Sequence, residues 1–179
     1  MKNIIFIIVL IGIISCEGPV PRQPVKRSSS SSIEVSIERS KKLLALEESM
    51  IQRIISTDSI HKYQQSDTGS WFFYEKKNDE SNYTAKPNDL VSLTYNVVNF
   101  RNDTIYSMQD IGIFTYKVDK QDLFPGLRNS VKLLKENETA TFLFPSSLAY
   151  GYLGDGDKVG INVPLKATIA IVKIEKDSL

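Results

Sequence analysis

Hydrophobic and polar positions change their rhythm twice along this chain. Ile4 to Ile14 is an almost unbroken apolar run of about eleven residues, preceded by Lys2. Residues 17–32, EGPVPRQPVKRSSSSS, carry no apolar period at all. From residue 34 the apolar positions Ile37, Leu44, Leu46, Met50, Ile51, Ile54 and Ile55 recur at loose helical spacing, and Glu38 stands four residues before Lys42. That pattern predicts a helix from about residue 34 to residue 56, stopped by Thr57-Asp58-Ser59. Beyond His61 the period shortens to two. GSWFFYEK (69–76) is aromatic and β-prone, and in LVSLTYNVVNF (90–100) Val91, Leu93, Tyr95 and Val97 share one face. Further strands are expected in NDTIYSM, GIFTYKV, ETATFLF (138–144) and ATIAIVKIEK (167–176). One helical piece interrupts them: FPGLRNSVKLLKE, with Leu127, Val131 and Leu134 at i, i+4, i+7 and Pro125 in its first turn, where the missing N–H does no harm. Strands, one short helix, then two strands split by a long loop make an α+β domain, an antiparallel sheet wrapped on one helix.

The helical extension (33–62) needs a cover for its apolar stripe. It packs on the parent domain, or it pairs with a second copy or a partner; the stripe is too irregular for a heptad coiled coil.

Composition removes several kinds of chemistry. The formal net charge is +1, from 22 basic and 21 acidic residues, which speaks against nucleic acid as a partner. With one histidine, His61, and one cysteine, Cys16, an intrachain disulfide is impossible and a Cys/His zinc site lacks ligands. His61 lies in the polar stretch SIHKYQQ and reads as a solvated surface residue. No Walker loop, dinucleotide fingerprint or internal repeat is present.

The N-terminal run is too short to span a bilayer and suits a signal peptide, residues 1–15. It ends in Ile14-Ser15-Cys16, which resembles a bacterial lipobox, with Cys16 the lipidated residue and residues 16–32 a Pro/Ser-rich tether. An ordinary signal peptide with a chance cysteine is the alternative. Cleavage removes Lys2 and leaves 21 basic against 21 acidic residues.

The C-terminal half carries a denser pattern: LFPGLRNSVKLLKENETATFLFPSSLAYGY, then VPLKATIAIVKIEK. It resembles the FKBP-type peptidyl-prolyl isomerases, in which a strand runs into Pro-x-x-x-Ala-Tyr-Gly and a later apolar-Pro-x-x-Ala-Thr opens the last strand. Pro145, Ala149, Tyr150, Gly151, Pro164, Ala167 and Thr168 match. The resemblance covers about residues 85–176 of a domain spanning 63–179 and implies an FKBP-like fold. The lipobox, the helix, GSWFFYEK and the loop YGYLGDGDKVG also look like the gliding-motility-associated lipoprotein branch.

Carried onto this sequence, the resemblance implies a catalytic set of Tyr95, Phe114, Phe124 and Tyr150, with the Tyr150 hydroxyl and the Phe124 N–H on a substrate carbonyl. It implies substrate contacts from Leu123, Leu127, Tyr116, Val163, Ile171 and Tyr106, and neither cofactor nor metal. Three positions depart from the pattern: Leu127 replaces a tryptophan floor, Ile171 an aromatic, and Tyr106 an aspartate, leaving no pocket carboxylate. Asp155 and Asp157 make the long loop acidic, but too few oxygen ligands stand at calcium spacing. The implied activity is prolyl isomerisation in the cell envelope, on proline-containing exported clients, with a link to gliding motility. The alternative is a non-catalytic FKBP-fold chaperone or a structural subunit of a motility or secretion assembly, with a partner or a second copy on residues 34–56.

Overall fold

The computed structural model describes residues 29–177, with side chains from residue 33 onward. The signal peptide, Cys16 and residues 17–28 lie outside the described residues. The chain divides into two compact units, residues 1–36 and 37–179.

Helix α1 spans Ser29–Thr57. Its first four residues, Ser29 to Ser32, were expected in the tether. Serine disfavours a helix only mildly, so the strong pattern downstream carries the first turn with it. Within the second unit, the last turns of α1 bury Ile51, and Ile54 and Ile55 are half-buried, whereas Ile37, Leu44, Leu46 and Met50 are exposed. The expected Glu38–Lys42 pair is replaced by a long, exposed Glu38–Lys41 contact at 3.9 Å.

His61 is not a free surface residue. Its ring stacks on Phe73 with centroids 3.9 Å apart, and its Nδ1 lies 2.8 Å from the Asp58 carboxylate. That carboxylate also accepts the Ile60 and His61 backbone N–H groups and the Tyr63 hydroxyl. This knot closes the helix end and leads the chain into the sheet.

The strands are β1 (Gln64–Gln65), β2 (Trp71–Lys76), β3 (Leu90–Tyr95), β4 (Val97–Asn99), β5 (Thr104–Tyr106), β6 (Phe114–Lys117), β7 (Thr139–Phe144) and β8 (Leu165–Glu175). All pairings are antiparallel, in the order β1-β2-β7-β8-β3-β6, with β4 beside β8 and β5 beside β4. The single strand expected over 90–100 is broken at Asn96, whose side-chain oxygen accepts the Thr168 N–H at 2.7 Å while its own N–H donates to Thr168 O. Near the end of β8 the inward alternation breaks after Ile171, for a physical reason. Ser92 pairs with Lys173 and Leu93 with Ile171, so Val172 is an extra residue, a bulge that turns its side chain outward.

Two short helices complete the domain: α2 (Met108–Ile111) and α3 (Pro125–Val131). The pattern gave no notice of α2, a single turn made by a capping box between Ser107 and Asp110. α3 is shorter than the expected 124–136 piece, yet Leu127, Val131 and, after the turn, Leu134 are all fully buried. They pack on Val91, Leu93, Phe142, Phe144, Ala167, Ile169 and Ile171 from the concave sheet face. Each such large apolar side chain contributes about 1.5–3 kcal/mol by leaving water. α3 lies so close to β7 that a Cβ on Gly126 would stand 2.6 Å from the Phe144 ring and 2.8 Å from the Leu148 carbonyl. Glycine is required there by contact.

Candidate functional site

A cleft of about 430 Å³ opens between the start of α3 and the turn after β7. Tyr95, Asp122, Leu123, Phe124, Pro125, Ala149 and Tyr150 line it. Each element delivers its residue for a local reason. Tyr95 is the last residue of β3, before the break at Asn96. Phe124 is the N-cap of α3, held extended at φ −60° and ψ 148° by the proline that follows. Tyr150 sits just after a 3₁₀ turn, Ser146–Leu148. Gly151, at φ +60°, then takes the backbone away in a conformation that a side chain disfavours.

Phe124 is the hub of the aromatic cluster. Its ring meets Tyr150 at 5.1 Å, Tyr95 at 6.2 Å and Phe144 at 5.7 Å between centroids. Phe114 stands edge-on to Tyr95 at 6.0 Å. Burial pushes the Tyr150 hydroxyl well above the usual tyrosine range, and the neighbouring Tyr95, Asp155 and Tyr106 push it further. Burial likewise raises Tyr95, although its contact with the Tyr150 hydroxyl works the other way. Both phenols therefore stay protonated at neutral pH and remain donors. Among the described residues, no acceptor takes the Phe124 N–H.

Of the residues the sequence nominated, Tyr95, Leu123, Phe124 and Tyr150 meet in the cleft, and Phe114 backs Tyr95. Three nominated substrate contacts are elsewhere. Tyr116, Leu127 and Ile171 keep at most 2% of their surface, all of them in the core beneath the cleft. The Tyr116 hydroxyl accepts the Asp119 N–H at 3.2 Å and so braces a turn. Their strand and helix positions face the concave side, where α3 already fills the space. Val163 and Tyr106 flank the site in a second cluster with Ala149, Val159 and Leu165, beside Tyr95 and Tyr150.

A carboxylate from another part of the chain stands beside Tyr106. The Tyr106 hydroxyl donates to Asp155 at 2.6 Å, and to Asp157 at 3.3 Å. The bond to Asp155 is the main reason the Tyr106 phenol is pushed up to about 12. Burial opposes the Asp155 charge, but the Tyr106 hydroxyl and the Asp157 and Val159 N–H groups outweigh it and hold that carboxyl below its ordinary value. Asp155 is thus surrounded by donors. Among the described residues, no group of three or more His, Cys, Asp or Glu is arranged for a metal. Pattern reading also missed Asp122, an exposed carboxylate on the cleft rim, whose only signal was its place one residue before Leu123-Phe124.

A larger hollow, about 700 Å³, lies elsewhere, between the end of α1 and a polar patch that includes Asn96, Thr141, Lys166 and Thr168. Its polar side chains bond one another: Thr141 to Glu75 at 3.0 Å and Thr141 to Thr168 at 2.7 Å. The smaller cleft, with donors left over, is the better site.

Residues 81–172 match the sequence profile of the FKBP-type peptidyl-prolyl cis-trans isomerases. The chain belongs to that family. A stretch of 52 residues is 48% identical to the probable FKBP-type peptidyl-prolyl cis-trans isomerase FkpA of Neisseria meningitidis serogroup B, covering 29% of this chain and 19% of that relative. The crystal structure of FkpA from Escherichia coli is similar over 99% of this chain and 84% of its own, with a TM-score of 0.61 and 15% identity. A peptidyl-prolyl cis-trans isomerase from Pseudomonas syringae is similar over 76% of this chain and 96% of its own, with a TM-score of 0.58 and 16% identity. Both structures share the fold: an antiparallel sheet around a short helix. In this FKBP-type chain the family match begins after β2, so α1, the Asp58 knot and β1–β2 are added in front of it.

Proposed function

We propose that this chain is a peptidyl-prolyl cis-trans isomerase of the bacterial cell envelope that helps exported proteins with slow prolyl bonds. The observation that carries the reading is the convergence of the Phe124 ring and unused N–H with the protonated Tyr150 hydroxyl in one apolar-walled cleft.

The chemistry follows from what an X–Pro bond needs. Its rotation crosses a barrier of about 18–20 kcal/mol because amide resonance is lost. A cleft walled by Tyr95, Leu123, Phe124 and Tyr150 disfavours the planar, charge-separated amide relative to the twisted one. The proline ring stacks against Phe124, with Phe114 holding Tyr95 at the side. The Tyr150 O–H and the Phe124 N–H fix the flanking carbonyl while the bond turns. No nucleophile, metal or cofactor takes part, and uncatalysed isomerisation lasts tens of seconds, so modest acceleration is useful to an exported client.

The lipid anchor on Cys16, membrane attachment and the link to gliding motility belong to the same proposal. They rest on the lipobox-like Ile14-Ser15-Cys16 and on the layout of the chain before the family domain. Among the described residues, no helix is long and apolar enough to cross a membrane. The second reading is a binding module: an FKBP-fold chaperone or a subunit of a motility or secretion assembly. The exposed Ile37, Leu44, Leu46 and Met50 favour it, because they offer α1 to a partner or a second copy.

The deciding experiment is a protease-free isomerisation assay on a Phe-Pro peptide with residues 17–179, beside Tyr150→Phe. Acceleration that falls in the variant supports the enzyme. A folded protein with no acceleration sinks it in favour of the binding module.

A further inference from the structure

The turn that presents Tyr150 is tied to a residue nearly a hundred positions earlier. Glu47, on α1, is 2% exposed, and its Oε2 accepts the Ser146 N–H at 2.9 Å. Its Oε1 is buried with no hydrogen-bond partner. A polar side chain placed this way is costly, because one of its buried oxygens has lost water and gained no hydrogen bond in return. An apolar side chain would fill the space at lower cost, so packing does not account for it.

What the bond reaches accounts for it better. Ser146 opens the 3₁₀ turn, and its carbonyl accepts two N–H groups, Ala149 at 3.0 Å and Gly151 at 2.9 Å. Those are the residues on either side of Tyr150. One residue thus donates its N–H to the Glu47 carboxylate and, through its own carbonyl, brackets Tyr150. The Ser146 N–H shares its peptide unit with the Pro145 carbonyl, which accepts the Leu148 N–H at 2.9 Å and the Ala149 N–H at 3.2 Å, so the Glu47 acceptor polarises that unit and strengthens the bonds that close the turn before Tyr150. Ser146 is itself 3% exposed, which keeps water from substituting for the carboxylate.

We propose that Glu47 is a positioning residue for the isomerase site: through Ser146 it holds the backbone around Tyr150 so that the hydroxyl stays aimed into the cleft. The proposal rests on the isomerase reading. It also makes α1, which lies outside the family match, part of the working site.

The test is a cycle between Glu47 and Tyr150 in the full mature chain. Glu47→Ala should lower kcat about as far as Tyr150→Phe does and no further, with KM within twofold, measured well below its melting temperature. Glu47→Gln retains an acceptor and should restore kcat to within twofold of wild type. In a Tyr150→Phe background, Glu47→Ala should cost almost nothing more, because the group it positions is already gone. Independent, multiplying losses would overturn the proposal and leave Glu47 a structural residue. So would an unchanged kcat in Glu47→Ala. If Glu47→Ala does not fold, Glu47→Asp, one methylene short of Ser146, gives the same reading. Should the wild type show no isomerase activity, the isomerase reading fails, and the tyrosine ring NMR signals still decide the geometry. A shift of the Tyr150 ring in Glu47→Ala that Glu47→Gln reverses upholds the positioning; an unmoved ring refutes it.

Discussion

Two clusters in this protein are built from the same parts, aromatic rings beside acids, and they spend their polar atoms in opposite ways. In the knot after α1, the Asp58 carboxylate takes the Ile60 and His61 N–H groups, the His61 ring and the Tyr63 hydroxyl, while His61 lies flat on Phe73. Every strong donor in it finds Asp58. In the cleft, Phe124 joins Tyr95 and Tyr150, yet among the described residues the Phe124 N–H has no acceptor, and Asp122 stays exposed on the rim. A cluster that closes on itself holds the fold together. A cluster that leaves hydrogen-bonding capacity in an apolar cleft is set up for a ligand. The contrast also places the lone histidine in the closed cluster, with its Nδ1 on Asp58 and one face on Phe73.

The largest effect should come from Phe124→Ala. That ring is 7% exposed and touches Tyr95, Phe144 and Tyr150. Losing a buried phenylalanine costs about 3–5 kcal/mol. Chemical denaturation should show that loss, and isomerase activity should vanish together with it. A variant that stays near wild-type stability would mean the cleft is less tightly built than its geometry indicates.

Next in size is Tyr150→Phe, which keeps the ring and removes the donor. One hydrogen bond contributes about 0.5–1.5 kcal/mol, so kcat/KM should fall roughly two- to tenfold. Denaturation midpoints should hardly move. This separates the open cluster from the closed one, where removing a polar atom is felt in stability instead.

Asp58→Asn should show that converse. Hydrogen bonding to His61 is the first cause that holds the Asp58 carboxyl far below its ordinary value; desolvation opposes it, and the bonds from Ile60, His61 and Tyr63 add to it. A depressed folded-state value contributes stability that is present above about pH 4, the unfolded value, and is lost as pH falls through the folded one. Melting temperatures measured from pH 7 down to pH 2 should therefore fall less steeply in the variant than in wild type. Activity at neutral pH should be unchanged. A loss of kcat/KM in the folded variant would break the division drawn between the two clusters.

How much of this was legible follows the same division. The concave core was readable because β8 alternates Leu165, Ala167, Ile169 and Ile171 strictly inward, and Leu127 and Val131 stand at helical spacing. Tyr95, Phe124 and Tyr150 were readable because family-like motifs surround them. What pattern could not reach depends on contacts across the chain. Tyr116 and Ile171 were nominated as substrate contacts by the family resemblance, which matches positions along the strands but not how deeply α3 covers them. The Tyr106–Asp155 bond joins residues 49 positions apart, and Glu47–Ser146 joins residues 99 apart. Nothing in local spacing marks either. Ser29 to Ser32 were misplaced because composition described them while the helix downstream determined them.

The smallest predicted effect is an absence, and it tests the open cluster most directly. Burial raises both Tyr95 and Tyr150 above the ordinary tyrosine value of about 10. A phenol whose value is raised keeps its proton, and its donor role, to a higher pH than a free one. Any stability tied to the neutral form is fully present below about pH 10 and is lost only as pH climbs through the folded value. The profile of kcat/KM should therefore be flat between pH 6 and pH 9 for an uncharged Ala-Pro peptide. Asp155 lies beside both Tyr106 and Tyr150, and its carboxyl is already ionised well below that window. A bell or a slope centred near neutrality would require a titrating group in the reaction. His61 is committed to Asp58 and Phe73, so such a profile would overturn the view that twisting the amide in an apolar cleft, rather than proton transfer, is what the cluster does.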